Sequence, residues 1–378
     1  MRRPAASPPA PTRLIVPLGA RRYPVYIGRG LLQESARYLA PLLARPFCAI
    51  VSDTSTARHH LPLLRASLTR ANIGSVALRL PDGEASKSFA ALERVCRFCL
   101  RHRLERRDLV LALGGGMVGD IAGLAAALTR RGCGLVQMPT TLLAQIDSAI
   151  GGKTAINTAE GKNLVGSFHQ PRLVLSDSGT LDTLPVRQLR AGYAEMVKYA
   201  ALGDARFFGW LEKNGHAVLQ REPAALTRGI ATSCRHKARI VAADERDEGE
   251  RALLNLGHSF GHALEALCGY RSALLHGEAV ALGMQLAFDF SVQCGLCPPE
   301  DAARLAAHLK AVGLPHRLAG LRQPQITAAN MVRAMRQDKK TEGGALTLIL
   351  VRGLGRAFVA RQQNWTQLRR FLQQQLKG

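Results

Sequence analysis

The stretch Asp108-Leu-Val-Leu-Ala-Leu-Gly-Gly-Gly-Met-Val-Gly-Asp120 decides the fold class. Its apolar run at 108–113 predicts a buried strand, and the glycines at 114–116 predict a tight turn into a helix that continues to about residue 130. Glycines let backbone N–H groups approach a phosphate, and the amino end of a helix adds favourable partial charge. Because the turn matches neither G-x-G-x-x-G nor a Walker loop, tight packing explains it equally well.

Strands and helices alternate on both sides of this turn. Further strands are predicted at 46–52, 75–80, 134–138 and 173–176, helices ending near residues 71 and 102, and an N-terminal hairpin at 14–18 and 23–27. Such alternation is typical of a parallel sheet whose crossover connections are right-handed. We therefore predict an α/β fold for this part of the chain.

Helical periodicity dominates after about residue 179, and one further strand is predicted at 345–351. The helices are predicted at 186–202, 205–219, 223–243, 255–267, 277–294 and 300–312. We predict a disordered Arg/Pro tail at 1–12, a Rossmann-like parallel-sheet domain at 13–180 and a mostly α-helical domain at 181–378. Ligands of open α/β sheets bind beyond the carboxyl ends of the strands, so we expect the active site in the cleft between the two domains.

The chain carries 51 Lys and Arg residues against 28 Asp and Glu residues, a formal net charge of +23 over 378 residues. Such an excess is typical of nucleic-acid binders, but only 5% of the residues are aromatic and no recognised nucleic-acid-binding motif is present. Lysine accounts for only ten of the 51 cations. We therefore interpret most of the excess as arginine spread over the surface, and we expect no specific nucleic-acid partner.

Eight cysteines are too few for a disulfide scaffold in a chain of this length. The pairs Cys96/Cys99 and Cys294/Cys297 lie in apolar helical patterns without the turn residues of a zinc knuckle, so we interpret them as buried reduced thiols. No apolar run approaches the ~20 residues of a membrane-spanning helix, and the N-terminus lacks a secretory signal. We expect a cytoplasmic protein with no membrane partner.

Three histidines and one glutamate form a candidate metal site. His258 and His262 are spaced i and i+4, which places both on one face of a helix. His276 opens the next predicted helix, and Glu195 lies among apolar neighbours. Two or three neutral imidazoles with one carboxylate are the ligands of a catalytic zinc ion that keeps one coordination position open. A histidine satisfied within the core is the alternative for each one taken singly.

Lysines concentrate in segments that stand out for other reasons. Where an Arg-rich chain keeps lysine, we expect a compact ammonium group to be required. Together with Arg131 and Arg251, these lysines favour a phosphorylated and carboxylated substrate, although a solvated side chain explains any single one equally well. The seven lysines are Lys87, Lys153, Lys162, Lys198, Lys237, Lys339 and Lys340.

Polar groups also follow two of the predicted strands. Asp82 and Glu84, in the turn Asp82-Gly83-Glu84, offer acceptors for ribose hydroxyls, although a solvated turn is the simpler interpretation. Thr140 and Thr141 follow the strand at 134–138, where they can donate to a phosphate or cap a helix.

The motifs taken together resemble those of the 3-dehydroquinate synthase family of sugar-phosphate cyclases. The resemblance extends from about residue 14 to residue 359, and its motifs are highly specific in combination. Besides the glycine-rich turn, it rests on Pro139-Thr-Thr-Leu-Leu-Ala-Gln-Ile-Asp147-Ser, Gly151-Gly-Lys-Thr, Gly161-Lys-Asn, Gly192-Tyr-Ala-Glu-Met-Val-Lys198, Leu254-Asn-Leu-Gly-His-Ser-Phe-Gly-His262 and Leu275-His-Gly-Glu-Ala-Val280.

The resemblance implies a usually dimeric enzyme that uses NAD and one divalent metal ion, zinc or cobalt. It implies a lyase of the shikimate pathway that converts 3-deoxy-D-arabino-heptulosonate 7-phosphate to 3-dehydroquinate and phosphate. In that chemistry the C5 carbinol is oxidised by NAD, phosphate is eliminated, the hydride is returned, and an intramolecular aldol reaction closes the ring.

The resemblance also implies roles for individual residues. Glu195, His258 and His276 would hold the metal, which leaves His262 to bind phosphate or to transfer a proton. Substrate would be held by Arg131, Lys153, Asn163, Lys237, Arg251, Asn255, His262 and one of Lys339 and Lys340, with Asp147 and Lys198 completing the catalytic set. NAD would contact Asp82, Gly83, Glu84, Lys87, Gly115, Gly116, Gly119, Asp120, Thr140, Thr141, Lys153, Lys162, Thr180, Leu181 and Thr183.

Two departures and two alternatives remain. Ser259 stands where the family commonly has threonine, and Arg130 precedes Arg131, which leaves open the arginine that reaches the site.

Another NAD- and metal-dependent sugar-phosphate cyclase and a polyol dehydrogenase are the alternatives. Lys237 and Arg251 favour a substrate with a carboxylate, because two buried cations without an anion are costly. A polyol dehydrogenase would not need the phosphate-binding cations.

Overall fold

The computed structural model describes residues 10–247, 249–269, 273–321, 323–338 and 346–377. It divides into two compact units that we describe separately. The sheet unit comprises Met1–Pro185 and Arg221–Arg246, and the helical unit comprises Val186–Gln220 and Asp247–Gly378.

Most strands of the sheet unit form one sheet, and two others form a separate hairpin. The strands are β1 (Thr12–Val16), β2 (Tyr23–Gly28), β3 (Phe47–Asp53), β4 (Gly74–Leu80), β5 (Leu109–Gly114), β6 (Gly134–Pro139), β7 (Lys153–Thr158), β8 (Gly161–Phe168) and β9 (Leu173–Asp177). The helices are α1 (Ser35–Leu39), α2 (Thr54–Arg70), α3 (Phe89–Arg101), α4 (Gly116–Leu128) and α7 (Pro223–Ala243). The sheet has the order β1-β2-β9-β6-β5-β3-β4, parallel except for the β1–β2 pair.

Strand β5, in the interior of the sheet, is buried on both faces. Leu109, Leu111 and Leu113 belong to the core cluster that contains residues of α1 and α2. Val110 and Ala112 belong to the cluster that contains residues of α3 and α4. Because successive side chains of a strand point to opposite faces, a strand covered by helices on both sides must be apolar throughout. The predicted α/β fold class is confirmed.

The direction of strand addition reverses between β3 and β5. The chain leaves β3 through α2, and β4 is then added on the outer side of β3; after β5 it leaves through α4, and β6 is added on the other side. α2 and α4 cover opposite faces of the sheet. Such a switch leaves a crevice at the carboxyl ends of the two strands, and the turn Gly114–Gly116 lies at this point.

Helix α7 packs in the sheet unit, against β1, β2 and the turn Ala144–Ser148. The thiol of Cys234 lies 3.3 Å from the carbonyl oxygen of Gln145. The sequence predicts this segment as part of the helical domain at 181–378, whereas the structure places it in the sheet unit. The difference has a physical reason: an amphipathic period shows that one helix face is buried, but not which partner buries it.

The helical unit contains seven helices and one strand pair among its described residues. These are α5 (Val186–Gly203), α6 (Ala205–Leu219), α8 (His258–Leu267), α9 (His276–Gln293), α10 (Pro299–Ala311), α11 (Ala328–Asp338), α12 (Trp365–Gln375) and the antiparallel pair β10 (Leu346–Val351) and β11 (Ala357–Gln363). In neither unit does a described helix combine the length and the apolar character needed to cross a membrane.

Glycines let the backbones of α5, α8 and α9 come unusually close. A Cβ atom at Gly283 of α9 would lie 2.0 Å from the carbonyl oxygen of Gly257, and one at Gly277 would lie 1.8 Å from that of Ala191. No side chain fits at either distance. Gly257, which precedes α8, also has a φ of +80°, a conformation that glycine adopts without strain.

We expect Gly283→Ala to destabilise the helical unit, because the added methyl group meets backbone atoms that cannot move aside. Overpacking of this kind costs about 1–3 kcal/mol. Gly209 of α6 provides the matched control, since a Cβ there would meet only Glu212 Oε2 at 3.9 Å; Gly209→Ala should stabilise by about 0.4–1 kcal/mol. Urea unfolding of the metal-free variants measures both effects, and equal midpoints would contradict the prediction.

Candidate functional site

Glu195, His258 and His276 converge in the helical unit. One ligand atom from each lies within 4.8 Å of the others. Glu195 Oε1 is 3.5 Å from His258 Nε2 and 3.3 Å from His276 Nε2. Two imidazole nitrogens and one carboxylate oxygen that point at a common centre form the protein ligand set of a catalytic zinc ion. The side chains therefore fit a divalent metal.

Close helix packing brings these three residues together. His258 and His276 are the first residues of α8 and α9, whereas Glu195 lies in the middle of α5 and is fully buried. Gly277, next to His276, packs against the carbonyl group of Ala191, one helical turn before Glu195. The glycine beside each histidine thus has a role that spacing alone did not reveal: Gly277 lets α9 start beside α5, and Gly257 lets α8 start beside α9.

Each candidate ligand is also held on its other side. Lys198 Nζ lies 2.5 Å from Glu195 Oε2, and His258 Nδ1 lies 3.2 Å from the carbonyl oxygen of Leu256. His276 Nδ1 lies 3.0 Å from Glu265 Oε2. Glu265 is not among the residues that the sequence predicts for the site. Its signal was present, because Glu265 is the single acidic residue of helix α8 and follows His262 by nearly one turn.

The metal-free histidines differ in protonation. Burial, together with the nearby Lys198 ammonium group, lowers the pKa of His258 to about 3. Burial also disfavours charge on His276, but hydrogen bonds to Glu195 and Glu265 outweigh it and raise the pKa of His276 to about 10. Because metal ligands must be deprotonated, metal binding at this cluster displaces a proton from His276.

A second, overlapping set of ligand atoms exists. His262, Glu265 and His276 also bring one atom each within 4.8 Å of one another. The ring of His262 lies 5.3 Å from that of His258 and 6.3 Å from that of His276, measured between centroids. The two sets share His276, whose Nδ1 faces Glu265 and whose Nε2 faces Glu195. The first set leaves His262 beside the metal centre.

Two further predicted residues precede α8. Arg251 and Asn255 lie in the short 3-10 helix Glu250–Asn255, and Arg251 is only 2% exposed despite its size, whereas Asn255 is exposed. A guanidinium group buried to this extent is typical of an anion-binding position. Lys339 and Lys340 lie outside the described residues.

The glycine-rich turn of the sheet unit combines close packing with an open helix end. A Cβ at Gly115 would lie 3.1 Å from Thr141 Cγ2, and one at Gly116 would lie 3.1 Å from Ser148 Oγ. Gly115 is the N-cap of α4 and has no side chain to bond the first amide groups of the helix. Amide groups left in this way bind anions, so the turn fits the pyrophosphate of a dinucleotide.

A polar network lies beside this helix. Lys87 is buried, with its Nζ 2.5 Å from Asp120 Oδ2, and it also donates to Asn163 Oδ1. Asn157, which the sequence analysis missed, accepts from the Asn163 amide at 3.1 Å and donates to Glu84 Oε1 at 2.8 Å. Asn163 had been assigned to the substrate phosphate, but the structure brings it to residues assigned to NAD.

Lys237 and Asp147 form an ion pair. Lys237, on α7, donates to the Asp147 carboxylate and, at 2.6 Å, to the backbone carbonyl oxygen of Asp147. The sequence predicts that Lys237 and Arg251 meet a carboxylate of the substrate. Because Asp147 already balances the charge of Lys237, the need for an anionic partner no longer supports that prediction for Lys237.

Several predicted cofactor residues lie at the carboxyl ends of the strands. Asp82, after β4, accepts from the amide of Ser55 at 2.9 Å. Thr140, after β6, is buried, and its amide donates to the carbonyl oxygen of Gly114 at 3.0 Å. Asp53, which ends β3 and caps α2, was missed. Burial raises its pKa, whereas the Ser55 amide and hydroxyl lower the pKa of Asp82.

The remaining predicted residues have mainly local contacts. Thr141 Oγ1 accepts from the Ala144 amide at 3.2 Å, and Thr180 Oγ1 donates to the Asp177 carbonyl at 2.7 Å. Thr183 Oγ1 lies 3.0 Å from His60 Nε2. The other predicted residues lie at the following places: Gly83 in the turn after β4, Gly119 within α4, Lys153 and Lys162 on the hairpin β7–β8, and Leu181 in the 3-10 helix Ser178–Thr183. Arg130 and Arg131 both have positive φ angles, of 54° and 60°.

We expect His258→Ala to abolish tight zinc binding, because it removes a ligand of the first set. His262→Ala should leave the zinc Kd within a few-fold of the wild-type value. Competition with a chromophoric chelator measures both affinities, and His262→Ala also serves as a control for loss of a partly buried imidazole from α8. The opposite result would assign the metal to His262, Glu265 and His276.

Family models match most of the chain. The 3-dehydroquinate synthase N-terminal model matches residues 77–191, and the C-terminal model matches residues 192–341. The chain is 54% identical to the 3-dehydroquinate synthase of Rhodospirillum rubrum over 92% of its own length and 91% of that protein. It is 52% identical to that of Rhodopseudomonas palustris over 98% of both chains.

Solved structures resemble the chain over similar lengths. 2-epi-5-epi-valiolone synthase (ValA) from Streptomyces hygroscopicus, solved with NAD⁺ and Zn²⁺ bound, is 30% identical with a TM-score of 0.86, covering 94% of this chain and 97% of that one. A 2-deoxy-scyllo-inosose synthase shares the fold at 24% identity and a TM-score of 0.85, covering 97% and 100%. With converging metal ligands and a dinucleotide-type turn in place, the chain belongs to the 3-dehydroquinate synthase family.

Proposed function

We propose that this chain is an NAD- and metal-dependent 3-dehydroquinate synthase, a lyase that converts 3-deoxy-D-arabino-heptulosonate 7-phosphate to 3-dehydroquinate and phosphate. The observation that carries the proposal is the convergence of Glu195, His258 and His276 in a chain more than 50% identical, over nearly its full length, to curated members of the family. The reaction belongs to the shikimate pathway.

The sheet unit would bind NAD at the carboxyl ends of its strands. Bound NAD supplies a hydride acceptor and later a hydride donor for one carbon of the substrate. Amide groups at the start of α4, beside Gly115 and Gly116, would bind the pyrophosphate. The carboxylates of Asp82 and Glu84 would accept hydrogen bonds from ribose hydroxyls, and the Lys87–Asp120 pair would fix the position of α4 against this ligand.

The helical unit would orient the carbinol that is oxidised. A divalent ion held by Glu195, His258 and His276 supplies Lewis acidity that lowers the pKa of a substrate hydroxyl. Lys198 holds the second oxygen of Glu195, so the carboxylate keeps one oxygen directed at the two histidines. His262, one turn from His258, is placed to exchange a proton with the substrate or to bind its phosphate.

Cations would bind the two anionic groups of the substrate. Arg251, buried before α8, would hold the carboxylate through two parallel hydrogen bonds. Lys153, Asn255 and Arg131 would hold the phosphate. We assign removal of the C6 proton to the leaving phosphate itself, which is a base within reach of that proton during the elimination.

The direct test is phosphate release from the heptulosonate phosphate by purified protein with zinc and substoichiometric NAD. We expect continued release without net accumulation of NADH, because the hydride returns to the substrate in each cycle. Glucose 6-phosphate, which lacks a carboxylate, should release no phosphate. Accumulating NADH would indicate a dehydrogenase, and turnover of glucose 6-phosphate but not of the keto acid would indicate another cyclase.

We propose further that the protein is a homodimer in which Arg131 serves the site of the partner subunit. Co-expressed Arg131→Ala and His258→Ala chains should then regain activity, because a hybrid dimer contains one site with both an intact metal ligand and an intact arginine. The two variants alone are expected to be nearly inactive. Absence of recovery in hybrids isolated with two affinity tags would contradict the assignment.

A further inference from the structure

We propose that Glu265 is a positioning residue: its carboxylate accepts a hydrogen bond from His276 Nδ1–H and thereby directs the Nε2 lone pair of His276 at the metal. The inference rests on the metal dependence proposed above. It assigns a function to a residue that the motifs did not single out.

The geometry around His276 supports this assignment. Glu265 Oε2 lies 3.0 Å from His276 Nδ1, while Glu195 Oε1 lies 3.3 Å from Nε2 on the opposite side of the ring. A neutral imidazole carries a proton on one nitrogen and a lone pair on the other. A carboxylate at Nδ1 selects the tautomer with the proton there, which leaves Nε2 free to bind a metal.

The free-energy cost of burying the Glu265 carboxylate favours a functional role for it. Glu265 is 4% exposed and is the single acidic residue of helix α8. Removing a carboxylate from water costs free energy, and a hydrogen-bond donor that gains positive charge offsets part of that cost. An imidazole that donates to a carboxylate becomes a better electron donor to a metal, and loss of such partners typically weakens metal binding.

The two candidate histidine ligands are supported differently. His258 Nδ1 faces the neutral carbonyl oxygen of Leu256 at 3.2 Å, whereas His276 Nδ1 faces a charged group. Helix α8 therefore supplies one ligand, His258, at its first residue and the partner of another ligand two turns later. A single rigid element sets the orientation of both imidazoles.

Direct ligation by Glu265 is the competing interpretation, because Glu265, His262 and His276 form the second overlapping set. It would require His276 to bind through Nδ1 and would leave the buried Glu195 outside the metal sphere. The two interpretations differ in which histidine of α8 the metal needs, so the variants of His258 and His262 separate them.

The test compares Glu265→Met and Glu265→Gln with the control Asp289→Asn. Methionine keeps volume and helix propensity but offers no comparable acceptor, whereas glutamine keeps an acceptor without charge. Asp289, on α9, is a part-buried carboxylate that accepts from Gln285 rather than from a histidine. Zinc affinity is measured by chelator competition, and the geometry of the site by the visible absorption of the Co²⁺-loaded protein.

We expect Glu265→Met to bind zinc about 10- to 100-fold more weakly than the wild type and to have an altered Co²⁺ spectrum. The zinc affinity of Glu265→Gln should lie between those of Glu265→Met and the wild type. Asp289→Asn should match the wild type in both measurements. A folded Glu265→Met protein with wild-type affinity and spectrum would overturn the proposal. If that variant does not fold, an unchanged affinity and spectrum in Glu265→Gln would overturn it. Zinc binding that survives His258→Ala but not His262→Ala would also overturn it. Neither readout needs turnover, so failure of the synthase assay is a separate result.

Discussion

Backbone contact between helices is the constraint on which the metal centre depends. Gly283 leaves room for the carbonyl group of Gly257, and Gly277 leaves room for that of Ala191. The amino end of α9 can therefore begin beside α5, in which Glu195 is buried, and the amino end of α8 can begin beside α9. The ligands come from α5 and from the consecutive helices α8 and α9, much later in the chain, and the absence of side chains at these contacts sets their separation.

Buried charge is paired within each unit. Lys87 lies against Asp120, Lys237 against Asp147, and Lys198 against Glu195. Arginines form ion pairs nearer the surface, such as those of Arg21 with Glu245 and Arg304 with Glu212. The division of the +23 charge by residue type thus has a partial structural counterpart: the lysines of these three pairs are buried compact cations, whereas the arginines of the surface pairs are exposed, with the buried Arg251 as an exception.

Sequence patterns predicted the regular parts of both units. The run at 108–113 became β5, and the helices at 186–202, 205–219 and 223–243 were correct to within a residue. The hairpin β7–β8 was missed, because its second strand exposes Leu164, Val165 and Phe168 and so lacks the alternation of a half-buried strand.

Site residues were predictable where they lie at a characteristic spacing within one motif, as His258 and His262 do. Residues that act through a tertiary contact were not. Asn157 is brought to Glu84 by the unpredicted hairpin, and Glu265 is brought to His276 by the meeting of two helices. Secondary-structure propensity and hydrophobic periodicity contain no information about such tertiary contacts. For the same reason, the packing partner of α7 could not be predicted.

Helix α7 has a consequence for biosynthesis. It packs against β1 and β2 near the start of the chain, yet it ends at Ala243. During synthesis from the amino end the sheet can assemble early, but the surface that α7 covers stays exposed until more than 240 residues have left the ribosome. The sheet unit can thus be completed only after α5 and α6 of the helical unit have been made.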